Sequence, residues 1–241
     1  MTEFLFRDDP YATECAAVVA AVAEGGVELD RTIFYATSGG QEGDTGVLVT
    51  ASGEELPVTG TIHPGRDRLR ILHLVADNAP LPAIGEAVTL RLDWGRRHRM
   101  MRMHTALHLL SVVLPYGVTG GAITAEKGRL DFDMTEPPGD VAAVEAALNA
   151  LVARDLPVTA EWISDADMAA QPELVKTMVV KPPTGQGRVR LIRIGSGEAT
   201  VDLQPCGGTH VGRTGEIGSL RLGKIEKKGR SNRRVNLHFA A

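Results

Sequence analysis

The sequence contains only two cysteines, at positions 15 and 206, and few aromatic residues. Two cysteines so far apart exclude the disulfide framework that small secreted domains use. No apolar run approaches the roughly 20 residues that a membrane-spanning helix needs. The N-terminal segment MTEFLFRDDPYATE also lacks the basic start and apolar run of a secretory signal. We therefore expect a protein of the reducing cytoplasm that does not enter a membrane.

Two short segments each place a pair of metal-ligating side chains four positions apart: HTALH at 104–108 and CGGTH at 206–210. The helix-forming segment RMMRMHTALHLLSVVL predicts a helix, and residues i and i+4 lie on one face of it. Two glycines allow the second segment to turn tightly, so that both of its ligands face inward. One such pair often only caps or solvates a helix, whereas two pairs are not expected by chance among seven histidines and two cysteines. The pattern predicts a roughly tetrahedral Zn²⁺ site with these ligands: His104, His108, Cys206 and His210.

Basic residues cluster beside both segments, although the net charge of the whole chain is −4. Between Arg221 and Arg234, seven residues are basic and only Glu226 is acidic, and a second cluster lies at Arg96, Arg97, Arg99 and Arg102. A run of charge is as often a solvated face as a binding surface. Its position beside the metal-ligand pairs favours a partner that carries phosphate.

The first 92 residues are predicted to form a small β-barrel-like domain. Short, partly alternating runs such as TGVLVTA, ELPVTGTIHP and AVTLRLDW are separated by Gly, Pro and Asp turns, a pattern typical of a small barrel or sandwich. The segment ECAAVVAAVAEGG has helical propensity, but its alternation and its Gly-Gly stop favour a strand.

Residues 93–241 are predicted to form a second domain in which helices alternate with antiparallel strands. After the histidine-bearing helix, VTGGAITAEKGRLDFDM predicts a hairpin with its bend at Gly120-Gly121. PPGDVAAVEAALNALVARDLP and SDADMAAQPEL predict two further helices, the second capped by Ser164 or Asp165. VTAEWI, RVRLIRIG, ATVDLQ, GEIGSLRLGKIEKKG and RRVNLHFA predict strands. The chain is therefore expected to be an α+β protein.

Several of these segments together resemble the alanyl-tRNA editing proteins of the AlaX type, relatives of the editing domain of alanyl-tRNA synthetase. The resemblance rests on LDRTIFYATSGGQEGDTG at 29–46, HTALH, GGAITAEKGRLDFD at 120–133, CGGTHVGRTGEIGSL at 206–220 and the tail KIEKKGRSNRRV. These segments follow the order of the family, and the resemblance spans nearly the whole chain. The combination of CGGTH with TGEIG is specific, whereas HxxxH alone is not.

The resemblance implies a hydrolase that removes serine from mischarged tRNA(Ala), with glycine as a second candidate, and that spares Ala-tRNA(Ala). The chain is too short to hold an aminoacylation domain as well, so the editing is expected to act in trans. For selection of the seryl hydroxyl, the resemblance favours Thr119 over Thr124, with Gly120 and Gly121 allowing the backbone to approach the substrate. The candidate contacts to tRNA phosphates are Lys227, Lys228, Arg230, Arg233 and Arg234. Arg96 and Arg97 are second-choice candidates for the same role.

Several alternatives stay open at this stage. Zinc can be catalytic or can only order the pocket, because four protein ligands fill the first shell. The activity can also be the editing of Ser-tRNA(Thr), as in the similar domain of threonyl-tRNA synthetase. A non-catalytic, zinc-stabilised tRNA-binding module is a further candidate, whereas the absence of HExxH argues against a zincin-type hydrolase. Asp131 and Asp133 are interpreted as ion-pair partners of Arg129 rather than as general bases.

Overall fold

The computed structural model describes residues 2–65, 67–76, 79–178 and 187–240. By its internal contacts the chain divides into two compact units, Met1–His98 and Arg99–Ala241. Mixed helices and antiparallel sheets confirm the predicted α+β class. No helix in the described ranges is long and apolar enough to cross a membrane.

The first unit contains a closed, antiparallel six-stranded barrel with the strand order β2-β3-β7-β6-β5-β8. Its strands are β2 (Glu14–Ala23), β3 (Gly26–Leu29), β5 (Gly46–Thr50), β6 (Glu55–Ile62), β7 (Leu72–Val75) and β8 (Ala87–Leu92). Closure leaves no unpaired sheet edge in the barrel, and inward side chains such as Leu29, Leu48 and Leu90 fill it. Two short strands, β1 (Glu3–Phe4) and β4 (Arg31–Thr32), pair in parallel outside the barrel.

The ambiguous alanine- and valine-rich segment is confirmed as a strand, β2. Its side chains alternate, since Ala17 and Val19 are buried whereas Val18 and Val22 are exposed. It pairs with β3 on one side and β8 on the other. Pairing on both sides overrides the helical propensity of its alanines.

The second unit contains two antiparallel sheets. One has the order β14-β15-β10-β9 and the other the order β11-β12-β13. Their strands are β9 (Val118–Ile123), β10 (Lys127–Asp133), β11 (Val158–Ser164), β12 (Arg188–Ile194), β13 (Asp202–Pro205), β14 (Leu220–Gly229) and β15 (Asn232–Phe239). The segment GEIG, predicted to begin a strand, instead lies mostly in a 3₁₀ turn at Thr214–Ile217, so that β14 begins only at Leu220.

Three α-helices occur where the sequence predicts them: α1 (Trp94–Val113), α2 (Val141–Ala153) and α3 (Asp165–Ala170). The side chain of Asp140 caps α2. Ser164 caps α3 in a reciprocal capping box with Asp167, so Ser164 rather than Asp165 is the N-cap. Three further 3₁₀ turns lie at Leu5–Arg7, Pro172–Leu174 and Gly197–Ala199.

The predicted hairpin exists as β9 and β10, but its bend was placed wrongly. Gly120 and Gly121 lie inside β9, opposite Asp131 and Leu130 of β10. The turn is at 124–126, where the hydroxyl of Thr124 accepts hydrogen bonds from the backbone N–H groups of Glu126 and Lys127. A side chain at position 120 would approach the Asp131 carboxylate to 3.3 Å, so this glycine makes room for a neighbour instead of turning the chain.

Candidate metal centre

Helix α1 presents His104 and His108 on one face, as their spacing predicts. Both side chains are buried, and apolar side chains of the same helix, including Met103, Leu107 and Leu110, are buried around them. Between them, Thr105 donates its hydroxyl to the carbonyl of Met101. The burial of the helix on several sides holds the two imidazoles in place.

The loop that carries Cys206 and His210 follows strand β13 and is held by a buried arginine. Arg190 of β12 donates from Nη1 to the carbonyls of Cys206 (3.1 Å) and Gly208 (2.9 Å), and its own carbonyl accepts from the N–H of Cys206. After the loop, the N–H of Val211 donates to Thr105 Oγ1 on α1 at 3.2 Å. These contacts bring the loop against the histidine face of the helix.

The four predicted ligands meet in one buried cluster. Cys206 Sγ lies 3.3 Å from His104 Nε2, and His210 Nε2 lies 3.1 Å from His108 Nε2. One ligand atom from each residue lies within 4.8 Å of all the others. A tetrahedral ion with bonds of about 2.0 Å to nitrogen and 2.3 Å to sulfur has ligand-to-ligand distances of about 3.3–3.5 Å. The cluster can therefore hold a metal ion.

The cluster's electrostatics also suit a cation. Burial raises the pKa of the Cys206 thiol, but the charge and hydrogen bond of the neighbouring His104 outweigh it and bring this pKa well below its ordinary value. Burial, together with the charge of His104, lowers the pKa of His210 to about 3. A thiolate and a neutral imidazole are the forms that bind metals. His210 Nδ1 is buried with no hydrogen-bond partner among the described residues.

His108 differs from the other ligands because it contacts a carboxylate. Burial lowers its pKa, but hydrogen bonds to Asp202 and Cys206 more than compensate and raise the pKa to about 9. Without a metal, the His108 ring is therefore protonated on both nitrogens near neutral pH, and metal binding would release one of these two protons.

Three further residues, not predicted from the sequence, surround the ligands: Asp202, Lys176 and Arg190. The position of Asp202, four residues before Cys206 in ATVDLQPC, was the available signal. A carboxylate in a buried strand that leads into a ligand loop is a candidate partner for a ligating histidine. Lys176 and Arg190 carried no local signal, because only the pairing of distant segments brings them here.

The predicted substrate-binding residues lie on β9. Thr119 is half-buried, and its hydroxyl donates to the Asp131 carbonyl (3.0 Å) and accepts from Asn232 Nδ2 (2.7 Å). Gly120 and Gly121 follow on the same strand. The N–H of Val118 donates to the carbonyl of Lys176, whose Nζ contacts Asp202. The start of β9 is thereby linked to the carboxylate that contacts His108.

The predicted tRNA-binding residues fall into two groups. Lys227, Lys228 and Arg230 are exposed on the β14–β15 hairpin. Arg233 is buried and donates to the carbonyls of Gly229, Asn232 and Thr135. Arg234 is paired through two hydrogen bonds with Asp131. Of the predicted tRNA-binding residues, only Lys227, Lys228 and Arg230 are therefore exposed to a binding partner.

The ion-pair interpretation of Asp131 is confirmed. Its carboxylate accepts from Arg234 at 2.8 Å and 2.9 Å and from Arg129 at 2.8 Å. Hydrogen bonding to Arg234, with a further contribution from Arg129, lowers the pKa of Asp131.

The arginines before the metal ligands have separate roles. Arg97 is fully buried against Asp44, and Arg96 pairs with Glu42 at 2.7 Å. Arg102 donates to the carbonyl of Ile217 and lies over the ring of Phe239. Of this cluster, Arg99 is exposed.

The chain is similar to proteins of a known family. Residues 189–236 match the family model described as the threonyl and alanyl tRNA synthetase second additional domain, and residues 8–96 match the model of class II (A) tRNA synthetases. The alanyl-tRNA editing protein AlaX-M of Saccharolobus solfataricus is 34% identical over 98% of both chains. AlaX-M of Methanosarcina acetivorans is likewise 34% identical over 98% of both.

A longer relative shares the same segment. The alanine–tRNA ligase of Caldivirga maquilingensis is 35% identical over 94% of this chain, which corresponds to 25% of the ligase. The identity and the nearly complete overlap with the AlaX-M proteins show that the chain belongs to the family of alanyl-tRNA editing proteins.

Proposed function

We propose that this protein is a trans-editing deacylase that hydrolyses the ester of Ser-tRNA(Ala) in the cytoplasm, with Gly-tRNA(Ala) as a second candidate substrate. The observation that carries the proposal is the buried cluster of His104, His108, Cys206 and His210 in a chain of this family. The match along 98% of the AlaX-M proteins supports action in trans.

We propose Zn²⁺ as the metal of the cluster, because three imidazoles and one thiolate are a donor set that zinc favours. A bound zinc ion would supply Lewis acidity toward the ester carbonyl or a water molecule. With all four side chains bound, the first shell is full, as in structural sites. The four residues would therefore either hold an ion that takes part in the hydrolysis after one of them is released, or hold one that only orders the pocket.

Thr119 is our candidate for recognition of the seryl hydroxyl. Its single proton is donated to the carbonyl of Asp131 and one of its lone pairs accepts from Asn232, which leaves one lone pair as an acceptor. A seryl side chain can donate to that acceptor, whereas the methyl group of alanine cannot. A site that hydrogen-bonds a hydroxyl rejects the analogue that lacks it.

The substitution Thr119→Val tests this role. We expect the ratio of the Ser-tRNA(Ala) rate to the Ala-tRNA(Ala) rate to fall about tenfold, the value of one hydrogen bond of about 1.4 kcal/mol. Thr124→Val is the matched control, since the Thr124 hydroxyl contacts only its own turn in the contacts described above, and the ratio should not change. An unchanged ratio in Thr119→Val would remove Thr119 from recognition.

The activity itself is tested by deacylation of four substrates with the purified, zinc-loaded protein: Ser-tRNA(Ala), Gly-tRNA(Ala), Ala-tRNA(Ala) and Ser-tRNA(Thr). Rapid loss of serine from tRNA(Ala), with alanine retained, supports the proposal. Faster turnover of Ser-tRNA(Thr) would instead indicate threonyl-type editing. Tight tRNA binding with no turnover would indicate a non-catalytic module.

The ligand set is tested separately by metal analysis of alanine variants at the four ligand positions. We expect each variant to lose zinc, because a tetrahedral site with three ligands binds more weakly. Full zinc retention by any one variant would remove that residue from the set.

A further inference from the structure

Asp202 lies at the centre of a buried polar cluster behind His108. Its Oδ2 is 2.9 Å from His108 Nδ1, and its Oδ1 is 2.5 Å from Lys176 Nζ. Gln204 Nε2 donates to the same Oδ2 at 2.8 Å. The Asp202 side chain is fully buried, whereas that of Lys176 is 30% exposed. A buried carboxylate with three donors has one fixed orientation.

Strand β13 aims this carboxylate at the helix. Asp202 and Gln204 are two residues apart, so their side chains lie on the same face of the strand. That face meets α1, where Gln204 Nε2 lies 3.4 Å from Ser111 Oγ and Ser111 donates to the carbonyl of His108. The same strand then leads directly into Cys206, so one element places both the carboxylate and a ligand.

The carboxylate determines which nitrogen of His108 can bind a metal. A neutral imidazole has one ring proton, and a carboxylate accepts but cannot donate. The contact with Asp202 therefore requires the proton on Nδ1. The lone pair is then on Nε2, which lies 3.1 Å from His210 Nε2 inside the cluster. With the other tautomer, a proton on Nε2 would occupy the position of the ion.

We propose that Asp202 is a positioning residue that holds His108 in its Nε2-ligating tautomer and orientation, with Lys176 and Gln204 holding the carboxylate. This inference rests on the metal-binding part of the proposed function and is independent of which aminoacyl-tRNA is hydrolysed. Loss of such a partner typically weakens metal binding or activity 10- to 100-fold.

The first test needs no substitution. In the zinc-loaded wild-type protein, long-range ¹H–¹⁵N NMR spectra report which ring nitrogen of each histidine carries a proton. We expect His108 to be protonated at Nδ1 and to bind through Nε2. A His108 protonated at Nε2 would overturn the inference, whereas a wild-type protein that binds no zinc would overturn the metal part of the proposed function instead.

The second test measures zinc affinity by competition with a chelating dye. We expect Asp202→Asn to raise the zinc dissociation constant 10- to 100-fold. Lys176→Met removes only a partly exposed ion pair, so an increase of about two- to fivefold is expected. Asp202→Glu keeps the carboxylate and should restore part of the affinity.

The matched control is Asp155→Asn. Asp155 is half-exposed and pairs with Arg213 at 2.7 Å, outside the cluster. This variant also loses a carboxylate that is paired with a basic side chain, but it should bind zinc like the wild type. In the Co²⁺-substituted protein, Asp202→Asn should also shift the visible ligand-field bands, because the His108 ligand changes. Wild-type affinity together with unchanged bands in Asp202→Asn would overturn the inference. If Asp202→Asn does not fold, the histidine NMR spectra of the wild-type protein remain the deciding measurement.

Discussion

The ion pair between Arg97 and Asp44 is the most deeply buried charge pair among the described residues, with side chains 0% and 1% exposed. Arg97 Nε lies 3.0 Å from both carboxylate oxygens, and its other nitrogens donate to the carbonyls of Pro10 and Ile33. Asp44 also accepts from the N–H of Tyr35. The pair thus ties the first turn of α1 to the glycine-rich segment at 35–44.

Asp44→Asn is expected to destabilise the first unit strongly. The substitution leaves the Arg97 charge buried and without a counter-charge, which costs about 3–5 kcal/mol. A typical domain has a free energy of unfolding of about 5–15 kcal/mol, so the loss is a large fraction of the total. With a urea dependence of about 2 kcal/mol per M, the unfolding midpoint should fall by about 2 M.

Unfolding of the first unit can be followed by tryptophan fluorescence, because the chain has only two tryptophans. In a Trp162→Phe background, fluorescence during urea unfolding reports on Trp94, which lies in the first unit. Glu42→Gln is the control, since it breaks the exposed pair with Arg96 and should shift the midpoint by less than about 0.5 M.

A double variant completes the test. Arg97→Met combined with Asp44→Leu removes both charges, so it should recover much of the stability that Asp44→Asn loses. A midpoint shift below about 0.5 M in Asp44→Asn, or a double variant less stable than the single one, would refute the reasoning.

His73 is buried, and desolvation lowers its pKa to about 4. Between pH 6.5 and 4, the unfolded state therefore binds a proton at this histidine that the folded state does not. The free energy of unfolding should fall by about 3 kcal/mol as the pH decreases through this range. Urea midpoints at pH 7 and pH 4.5 measure this, and His73→Gln should show a weaker dependence. Replacing Lys227 and Lys228 by alanine should weaken tRNA binding and reduce the slope of log affinity against log salt by about 2; an unchanged slope would exclude them as phosphate contacts. Arg190→Met leaves two carbonyls of the ligand loop without this donor, so zinc should dissociate faster in a chelator chase than from the wild type.

Charge clusters show where reasoning from neighbours in the sequence failed. Arg96 and Arg97 are adjacent, but successive residues of a helix point about 100° apart, so one pairs at the surface and the other is buried. Arg233 and Arg234 are adjacent on a strand and point to opposite faces. Only the structure could show which arginines already have partners inside the protein.

Glycine was ambiguous for a related reason. Gly39 and Gly40 have positive φ angles and form the tight turn between Ser38 and Gln41. Gly120, by contrast, lies in a strand and makes room for Asp131. Local sequence does not distinguish a glycine needed for its backbone angles from one needed for its small size.

The α+β class, most helices and strands, and the four residues of the candidate metal cluster could be predicted from the sequence, because these depend on short-range periodicity and on spacings of four residues. The tertiary structure decided what surrounds the ligands. Arg190 reaches the cluster through the pairing of β12 with β13, Asp202 through its contact with His108 of α1, and Lys176 through its ion pair with Asp202. The contacts with α1 join residues 94 and 106 positions apart, so no local pattern records them.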